Sequence, residues 1–380
     1  MTSSTFTVTP KQRIESIDIL RGIIMVIMAL DHTRDFFMPQ TFNPTDLTKA
    51  STALFLTRFI THFCAPIFVF LAGTGVFFAG SRRTKGQLST FLITRGFWLI
   101  LLELTIIEFS WQAKIDPHFM FIQVIWAIGV SMIVLAALVW LPKPLIALFG
   151  LLLIFGHNAF DSIKPTEFDE TGSIAWQFLH VQGIADFHNG YKVFVLYPLI
   201  PWIGVMAVGY VFGALFKLEA QHRRKILLGI GVSSLVLFVI LRSGNFYGDL
   251  FPWTKQENAL RSFLSFINVT KYPPSLDYLL VTLGVANLAL AGLENVKTRF
   301  TNWMLVYGRV PLAYYIMHMY LLLLLAGLSY FVFHIIEFGV GVPLYMVYPI
   351  WLLVVFILYF PCRWYMKYKM THKQWWLSYL

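Results

Sequence analysis

Ionisable residues stand at both ends of the first apolar stretch of this sequence. Residues 20–37 read LRGIIMVIMALDHTRDFF, with Arg21 before the apolar run and Asp31, His32 and Asp35 behind it. A carboxylate beside an imidazole orients a general base and stabilises its protonated form. The pattern therefore predicts His32 as a general base, with Asp31 or Asp35 as its orienting partner.

The spacing of Arg21 and His32 indicates that both lie on one face of a helix. Eleven residues at about 100° each return to nearly the same direction, about 16 Å farther along the axis. Ionisable groups within a membrane span usually face the protein interior or a water-filled cavity, so this stripe would line a passage. The alternative is a short helix whose terminal charges reach the lipid headgroups.

The composition indicates what kind of protein positions this stripe. The 380 residues are 58% hydrophobic and only 13% charged, which is typical of an integral membrane protein. A bilayer core of about 30 Å takes roughly 20 apolar residues as a helix. We therefore predict an all-α polytopic bundle of about ten membrane helices, near residues 17–37, 53–79, 88–110, 121–141, 144–160, 193–216, 226–242, 273–293, 304–326 and 342–362. The apolar segment 327–341 is either an interfacial piece or an eleventh short span.

The distribution of basic residues predicts the orientation in the membrane. Lys and Arg fall in one alternating set of loops, whereas the opposite set holds most of the Asp and Glu residues. Basic loops stay in the cytoplasm, so both termini are predicted to be cytoplasmic in a multi-pass protein of the cell inner membrane. The net charge of +10 then reflects topology, and no nucleic-acid partner is expected.

The chain divides into three predicted parts: a cytoplasmic N-terminal segment 1–16, a transmembrane domain 17–365 and a cytoplasmic C-terminal tail 366–380. The first 18 residues lack the pattern of a signal peptide, so the first span is expected to be uncleaved. The only two cysteines, Cys64 and Cys362, exclude a disulfide framework.

Further polar residues fall near the predicted outer ends of the helices. Arg58 and His62 are four residues apart and share a helical face. They are predicted either to bind substrate or to form a structural ion pair with the acidic residues of the first helix. Lys271 and Tyr272 lie in an outer turn where they could meet a substrate, although polar loops are common.

Other polar residues of the spans have competing interpretations. Arg95, near the inner end of the third predicted span, suits a phosphate group, with extension to the headgroups as the alternative. His318 lies inside an apolar helix, where a lone histidine is more often a hydrogen-bonded packing residue. No HExxH or paired-cysteine spacing occurs, so no metal is expected. The sequence also lacks a GxxxxGK[ST] loop, which argues against an ATP-driven pump.

Five blocks of the sequence resemble one known family. In chain order they are SIDILRGIIMVIMALDH, RFITHFCAPIFVFLAG, YPLIPWIGVMAVGY, KYPPSLDYLLVTLG and GRVPLAYYIMHMYL. Together they resemble the bacterial branch of the heparan-alpha-glucosaminide N-acetyltransferase catalytic-domain family. The first block also resembles the first-helix motif of the transmembrane acyltransferase superfamily, which includes the acyltransferase family 3 enzymes. The resemblance extends from about residue 13 to residue 365.

The resemblance implies an acyltransferase that works across a membrane. An acyl group, typically from acetyl-coenzyme A on the cytoplasmic side, would be transferred to an amine or hydroxyl of a sugar or glycan on the far side. In the acyltransferase family 3 enzymes the histidine of the first-helix motif is catalytic, and it matches His32. The lysosomal members have an asparagine there and a proposed catalytic histidine farther along, whereas this chain has no histidine between His32 and His62. The acceptor is therefore left open.

The spacing fits such a donor. About 16 Å is on the order of the length of an extended pantetheine arm, so Arg21 and Arg95 would hold the phosphates of acetyl-coenzyme A while its thioester lies near His32. His32 would then take the proton of the acceptor as a general base. A covalent acyl-imidazole intermediate is the alternative, and the sequence leaves both open.

A carrier is the alternative function. Intramembrane charges also suit a proton-coupled secondary transporter of a small polar or glycan-related solute. Two features argue against it: the halves of the sequence do not repeat, and the polar residues concentrate at the outer ends of the first two helices instead of the midplane. The sequence does not specify the oligomeric state.

Overall fold

The polypeptide is mostly helical wherever its structure is described. A computed structural model describes residues 14–39, 41–187, 189–333 and 341–379. The helices in these ranges are α1 (Glu15–Phe37), α2 (Thr52–Thr61), α3 (Cys64–Gly80), α4 (Lys85–Leu102), α5 (Glu108–Gln112), α6 (Val124–Leu138), α7 (Lys143–Gly156), α8 (Glu170–Leu179), α9 (Leu199–Phe212), α10 (Ala220–Gly244), α11 (Ala259–Ile267), α12 (Leu276–Leu293), α13 (Arg299–Arg309), α14 (Pro311–Phe333) and α15 (Leu344–Thr371). A π-helical turn, Glu103–Ile107, joins α4 to α5.

Eight helical segments in the described ranges are long and apolar enough to cross a membrane. They are Thr52–Gly80, Lys85–Gln112, Lys143–Phe160, Leu199–Lys217, Ala220–Gly244, Leu276–Leu293, Pro311–Val332 and Leu344–Thr371. Helix α1 has 23 residues but carries more charge than these eight, and α6 is a shorter apolar helix. The predicted all-α polytopic bundle is confirmed, whereas the number of ten or eleven spans stays a prediction. Residues 1–13 of the predicted N-terminal segment and 334–340 of the segment 327–341 lie outside the described residues.

The predicted helix 304–326 is not continuous. The window 304–326 falls on α13 and α14, which are separated at Val310, a residue with non-helical backbone angles. Proline opens α14 at position 311, where its fixed φ suits a first helical turn and its missing N–H would have no partner in any case. The long apolar helix therefore runs from Pro311 to Phe333, which is farther along the chain than the window 304–326 predicted from hydropathy.

A small sheet was not predicted from the sequence. It contains β1 (Phe119–Ile122), β2 (Gly183–Asp186) and β3 (Lys192–Val195) in the order β1-β3-β2. β1 pairs parallel to β3, and β2 pairs antiparallel to it. Strands of four residues are too short to show a reliable alternation in the sequence. The predicted helices 121–141 and 193–216 accordingly begin within β1 and β3, and β2 falls in a predicted loop.

Helix α1 lies at the centre of the bundle. It contacts α2, α3, α12, α13, α14 and α15, and both Asp18 and Asp31 are buried. Because neighbouring helices surround it, α1 can carry its charged residues within the membrane region without exposing them to lipid.

The two ends of the bundle can be named after the residues of α1 that lie there, the Arg21 end and the His32 end. Helix α15 starts at the His32 end, where the backbone N–H of Val342 donates to the carbonyl oxygen of Phe37 at 2.6 Å. It finishes at the Arg21 end, where Lys369 lines the same cavity as Arg21. The N-terminal and C-terminal parts of the described chain therefore lie at one end of the bundle.

Two glycines let α1 and α13 approach each other closely. A Cβ atom on Gly22 would lie 1.9 Å from the carbonyl oxygen of Met304, and one on Gly308 would lie 1.8 Å from the carbonyl oxygen of Asp18. Small residues at a helix crossing allow backbones to pack directly against each other within a membrane. This contact fixes α1 at the end that carries Arg21.

Gly22→Ala should destabilise the protein, because the added methyl group would meet the Met304 carbonyl and push α13 away from α1. Overpacking of this kind costs about 1–3 kcal/mol and would lower the midpoint of thermal unfolding in detergent. Gly229→Ala in α10 is the matched control, since no described atom outside its own helix lies within 4 Å of a Cβ added there. Equal midpoints for the two variants would contradict a tight α1–α13 contact.

Candidate active site

A cavity of about 600 Å³ opens beside α1. Residues of α1, α3, α4, α6, α13, α14 and α15 line it. Its basic lining residues are Arg21, Arg95, Arg309 and Lys369. Most of the remaining lining is apolar, with methionine, leucine, valine, isoleucine and phenylalanine side chains. Asp18 lies 3.2 Å from Arg21 and 3.9 Å from Arg309 and offsets part of this positive charge. The remaining positive charge beside an apolar passage suits a ligand with an anionic head and a long uncharged arm.

One stripe of α1 connects this cavity to His32. Arg21, Met25 and Met28 line the cavity, and His32 is the next residue of the same helical stripe. Since α1 is continuous from Glu15 to Phe37, the rise from Arg21 to His32 is about 16 Å. The structure thus shows the common face that the spacing predicted.

The far end of the cavity reaches the aromatic surroundings of His32. Tyr315 lines the cavity, and its ring lies edge-on to the His32 ring with 5.8 Å between centroids. The Trp111 ring also lies edge-on to His32, at 5.2 Å. The cavity lined by Arg21 is therefore also lined by a ring in contact with His32.

The hydrogen-bond partner that the structure gives to His32 is a second histidine. Nδ1 of His32 lies 2.6 Å from Nε2 of His318, and Nδ1 of His318 lies 3.1 Å from the carbonyl oxygen of Tyr314. A carbonyl oxygen can only accept, so Nδ1 of His318 carries the hydrogen. In the neutral pair, Nε2 of His318 then accepts from Nδ1 of His32. This arrangement leaves the lone pair on Nε2 of His32 available to a substrate.

The carboxylates predicted to orient His32 are paired with arginines. Nη1 of Arg58 lies 2.5 Å from one oxygen of Asp31, and Nη2 of Arg34 lies 2.8 Å from the other. The same nitrogen of Arg34 lies 2.6 Å from Asp35. The prediction that Arg58 meets the acidic residues of α1 agrees with this geometry, whereas the ring of His32 is hydrogen-bonded to His318.

The other predicted substrate residues lie around this ion-pair cluster. His62 is buried, and its backbone carbonyl accepts from the hydroxyl of Tyr278 at 2.7 Å. Lys271 is also buried, with its ammonium 5.1 Å from the centre of the Tyr272 ring, and it interacts electrostatically with Asp31 and His32.

The electrostatics of this cluster act on Tyr272. Burial alone would raise the pKa of the Tyr272 hydroxyl, but the positive charges of Lys271 and Arg58 hold that pKa below its ordinary value. The cluster therefore favours negative charge or strong hydrogen-bond acceptors at its open positions.

Several residues of the site were not predicted as site residues from the sequence. His318 was predicted to be a packing residue, and it lies 286 positions from His32, so no local pattern could link the two. Arg309 and Lys369 were not chosen as cavity residues. The signal that could have found His318 and Tyr315 is the block GRVPLAYYIMHMYL, which contains both.

A separate cluster on the His32 end could hold a metal ion. His157, Asp161 and His180 place one potential ligand atom each within 4.8 Å of the others. Its residues come directly after α7 and α8, not from the stripe of α1.

The comparison with known proteins concerns mainly the first two thirds of the chain. A family model described as heparan-alpha-glucosaminide N-acetyltransferase, catalytic, matches residues 13–247, which is more than half of the 380 residues. The match includes Arg21, His32, Arg58, His62 and Arg95. No curated protein matches the chain.

Arg58→Met should lower the free energy of unfolding by about 3 kcal/mol, because it removes one partner of a buried ion pair and leaves the charge of Asp31 partly uncompensated. We place the effect at the low end of such losses since Arg34 remains beside Asp31. Denaturant or thermal unfolding in detergent would measure the change.

The control for this variant is an exposed ion pair. Lys192 lies 3.2 Å from Asp186, and both side chains are more than 40% exposed, so Lys192→Met should change stability little. If Arg58→Met were as mild as Lys192→Met, the guanidinium of Arg58 would not be a structural partner of Asp31.

Proposed function

Because the chain belongs to the heparan-alpha-glucosaminide N-acetyltransferase catalytic-domain family, we propose that it transfers an acetyl group from acetyl-coenzyme A to a sugar or glycan acceptor. The acceptor atom would be an amine nitrogen or a hydroxyl oxygen. The observation that supports this most directly is the cavity that runs from four basic side chains to a ring in contact with His32.

The cavity fits the two parts of the donor. Arg21, Arg95, Arg309 and Lys369 would bind the phosphates of coenzyme A, since guanidinium and ammonium groups form charge-assisted hydrogen bonds with phosphate oxygens. The apolar lining would enclose the pantetheine arm. The distance of about 16 Å along α1 would then bring the thioester close to His32.

His32 is proposed as the general base. Its Nε2 would take the proton from the acceptor as the amine nitrogen or hydroxyl oxygen attacks the thioester carbonyl. The new bond forms to the carbonyl carbon, the carbon–sulfur bond breaks, and the sulfur leaves as the thiolate of coenzyme A. The proton held by His32 then passes to that thiolate. An order through an acyl-imidazole on His32 uses the same residues.

The partners of His32 have supporting roles in this scheme. His318 would accept the hydrogen bond from Nδ1 of His32, and so hold the ring with Nε2 toward the substrate. Asp31 and Asp35 would fix Arg34 and Arg58, which with His62, Lys271 and Tyr272 form the acceptor side of the site.

The two substrates would enter from opposite sides of the membrane. The loops rich in Lys and Arg support a cytoplasmic Arg21 end, and we propose that both termini are cytoplasmic in a cell inner membrane. Acetyl-coenzyme A would then enter at the Arg21 end, and the glycan acceptor would reach His32 from the outer side.

His32→Ala should lower turnover by about 10²–10⁴-fold, because positioned proton transfer contributes rate factors of this size. The assay gives purified protein labelled acetyl-coenzyme A with a panel of amino sugars and glycans, and measures free coenzyme A and the labelled product. The matched control is His222→Ala, since His222 is exposed at the start of α10.

Two outcomes of this assay would count against the proposal in different ways. Full turnover by His32→Ala would remove His32 as the base while leaving the acetyltransferase intact. If the wild type releases no coenzyme A with any acceptor but carries a glycan-related solute into vesicles, the protein is a transporter.

Arg95→Gln should raise the KM for acetyl-coenzyme A by about tenfold with a smaller change in kcat, because one charge-assisted contact with phosphate is worth about 1.5–3 kcal/mol. Arg224→Gln is the control, since Arg224 lies exposed in α10 away from the cavity. An unchanged KM for Arg95→Gln would exclude Arg95 from the donor site.

A further inference from the structure

Two histidines and an aspartate meet at the His32 end of the bundle, apart from the stripe of α1. His157 begins the short 3-10 turn that follows α7, Asp161 comes one turn later, and His180 follows the last residue of α8. Their potential ligand atoms lie within 4.8 Å of one another. Nε2 of His180 lies 3.1 Å from an oxygen of Asp161.

The two imidazoles are buried with unused nitrogens. His157 and His180 are each only 1% exposed. Neither nitrogen of His157, nor Nδ1 of His180, has a hydrogen-bond partner among the described residues. Buried polar groups in folded proteins are nearly always partnered, so an imidazole with two unused nitrogens points to a ligand that the protein atoms do not supply.

The donor set and its geometry suit a zinc ion, and we propose that His157, Asp161 and His180 bind one Zn²⁺. Imidazole and carboxylate ligands lie about 2.0–2.2 Å from zinc, so two ligand atoms in a tetrahedral site are about 3.3 Å apart. The 3.1 Å between His180 and Asp161 is close to that separation, and the His157 nitrogen, which lies within 4.8 Å of both, would move inward as the ion binds. Mg²⁺ and Ca²⁺ prefer sets made of oxygen atoms, which this cluster does not offer.

The surroundings of Asp161 support this role. Nδ2 of Asn158 donates to Oδ2 of Asp161 at 2.7 Å, while Oδ1, which lies 3.1 Å from Nε2 of His180, is on the side of the imidazoles where an ion would bind in place of that hydrogen bond. A hydrogen bond to the second oxygen of a ligating carboxylate is a common feature of metal sites. Three protein ligands leave the fourth tetrahedral position to a water molecule.

Zinc at this position would act as a clamp. It would join the end of α7 to the end of α8, just before β2, and so fasten the segment with α8 and the sheet onto the bundle. The side-chain oxygen of Asn158 accepts from the backbone N–H of Leu276 at 2.9 Å, which links the same corner to the start of α12 and the turn that carries Lys271 and Tyr272. The ion would thereby stabilise the outer side of the site without taking part in acyl transfer.

The test measures metal content in protein purified without a histidine tag and without chelators. Mass spectrometry of the metal should find about one zinc per wild-type chain, and His157→Gln and His180→Gln should each lower this at least tenfold. The matched control is His118→Gln, which changes an exposed histidine 3.8 Å from Asp116 and should keep the zinc. If both cluster variants keep their zinc, the zinc is bound elsewhere in the protein and the proposal is overturned.

A second measurement does not depend on how the variants fold. Wild-type protein stripped with EDTA should unfold at a temperature at least about 2 °C lower, and addition of ZnCl₂ alone should restore the midpoint while MgCl₂ should not. Wild type with less than a tenth of an equivalent of zinc and no change in midpoint on adding ZnCl₂ would overturn the proposal. Neither readout depends on acetyl transfer, so each can fail while the proposed function stands.

Discussion

The structure depends on one constraint: α1 carries ionisable side chains through a region where lipid cannot solvate them. Asp18 and Asp31 are buried, and the helix is enclosed by six neighbours. Charged groups within a membrane are tolerated when they face protein, a partner or water. Three features of α1 meet this requirement. Its close glycine contact with α13 keeps lipid away from the helix, arginines pair with Asp31, and Arg21 faces a cavity.

The ion pairs at the His32 end hold side chains in place more than they add to the free energy of unfolding. The desolvation of buried charges largely offsets their attraction, so a complete pair adds little net free energy, whereas loss of one partner is costly. Asp31 is held by Arg34 from its own helix and by Arg58 from α2. Because Asp31 precedes His32 directly, its two ion pairs also fix the backbone from which the His32 side chain extends.

The sequence predicted what depends on local pattern, and it missed what depends on contacts between distant segments. The continuous α1 with Arg21 and His32 on one face follows from helical periodicity alone. The pairing of His32 with His318 does not, because it needs α14 to lie beside α1. No metal was expected from the sequence because no pair of ligands has a typical spacing, and the proximity of His157, Asp161 and His180 in the fold could not be read from the sequence. Even the predicted helix 304–326 was broken by a local signal, Pro311, that hydropathy does not register.

The rings around His32 bear on the size of the group that could be transferred. Trp111 and Tyr315 both meet His32 edge-on, at 5.2 and 5.8 Å between centroids, and the His318 ring lies beside it in nearly the same plane, joined to it by the hydrogen bond at Nδ1. Aromatic rings at these distances are in contact, so the His32 ring is enclosed by other ring side chains. A thioester delivered along α1 would arrive with its sulfur and carbonyl near His32, and its acyl group would have to extend past these rings. An acetyl group adds one methyl there, whereas each further methylene would need more room beside these rings. Packing around the base, together with the fixed length of α1, therefore favours a short acyl donor for the reaction proposed here.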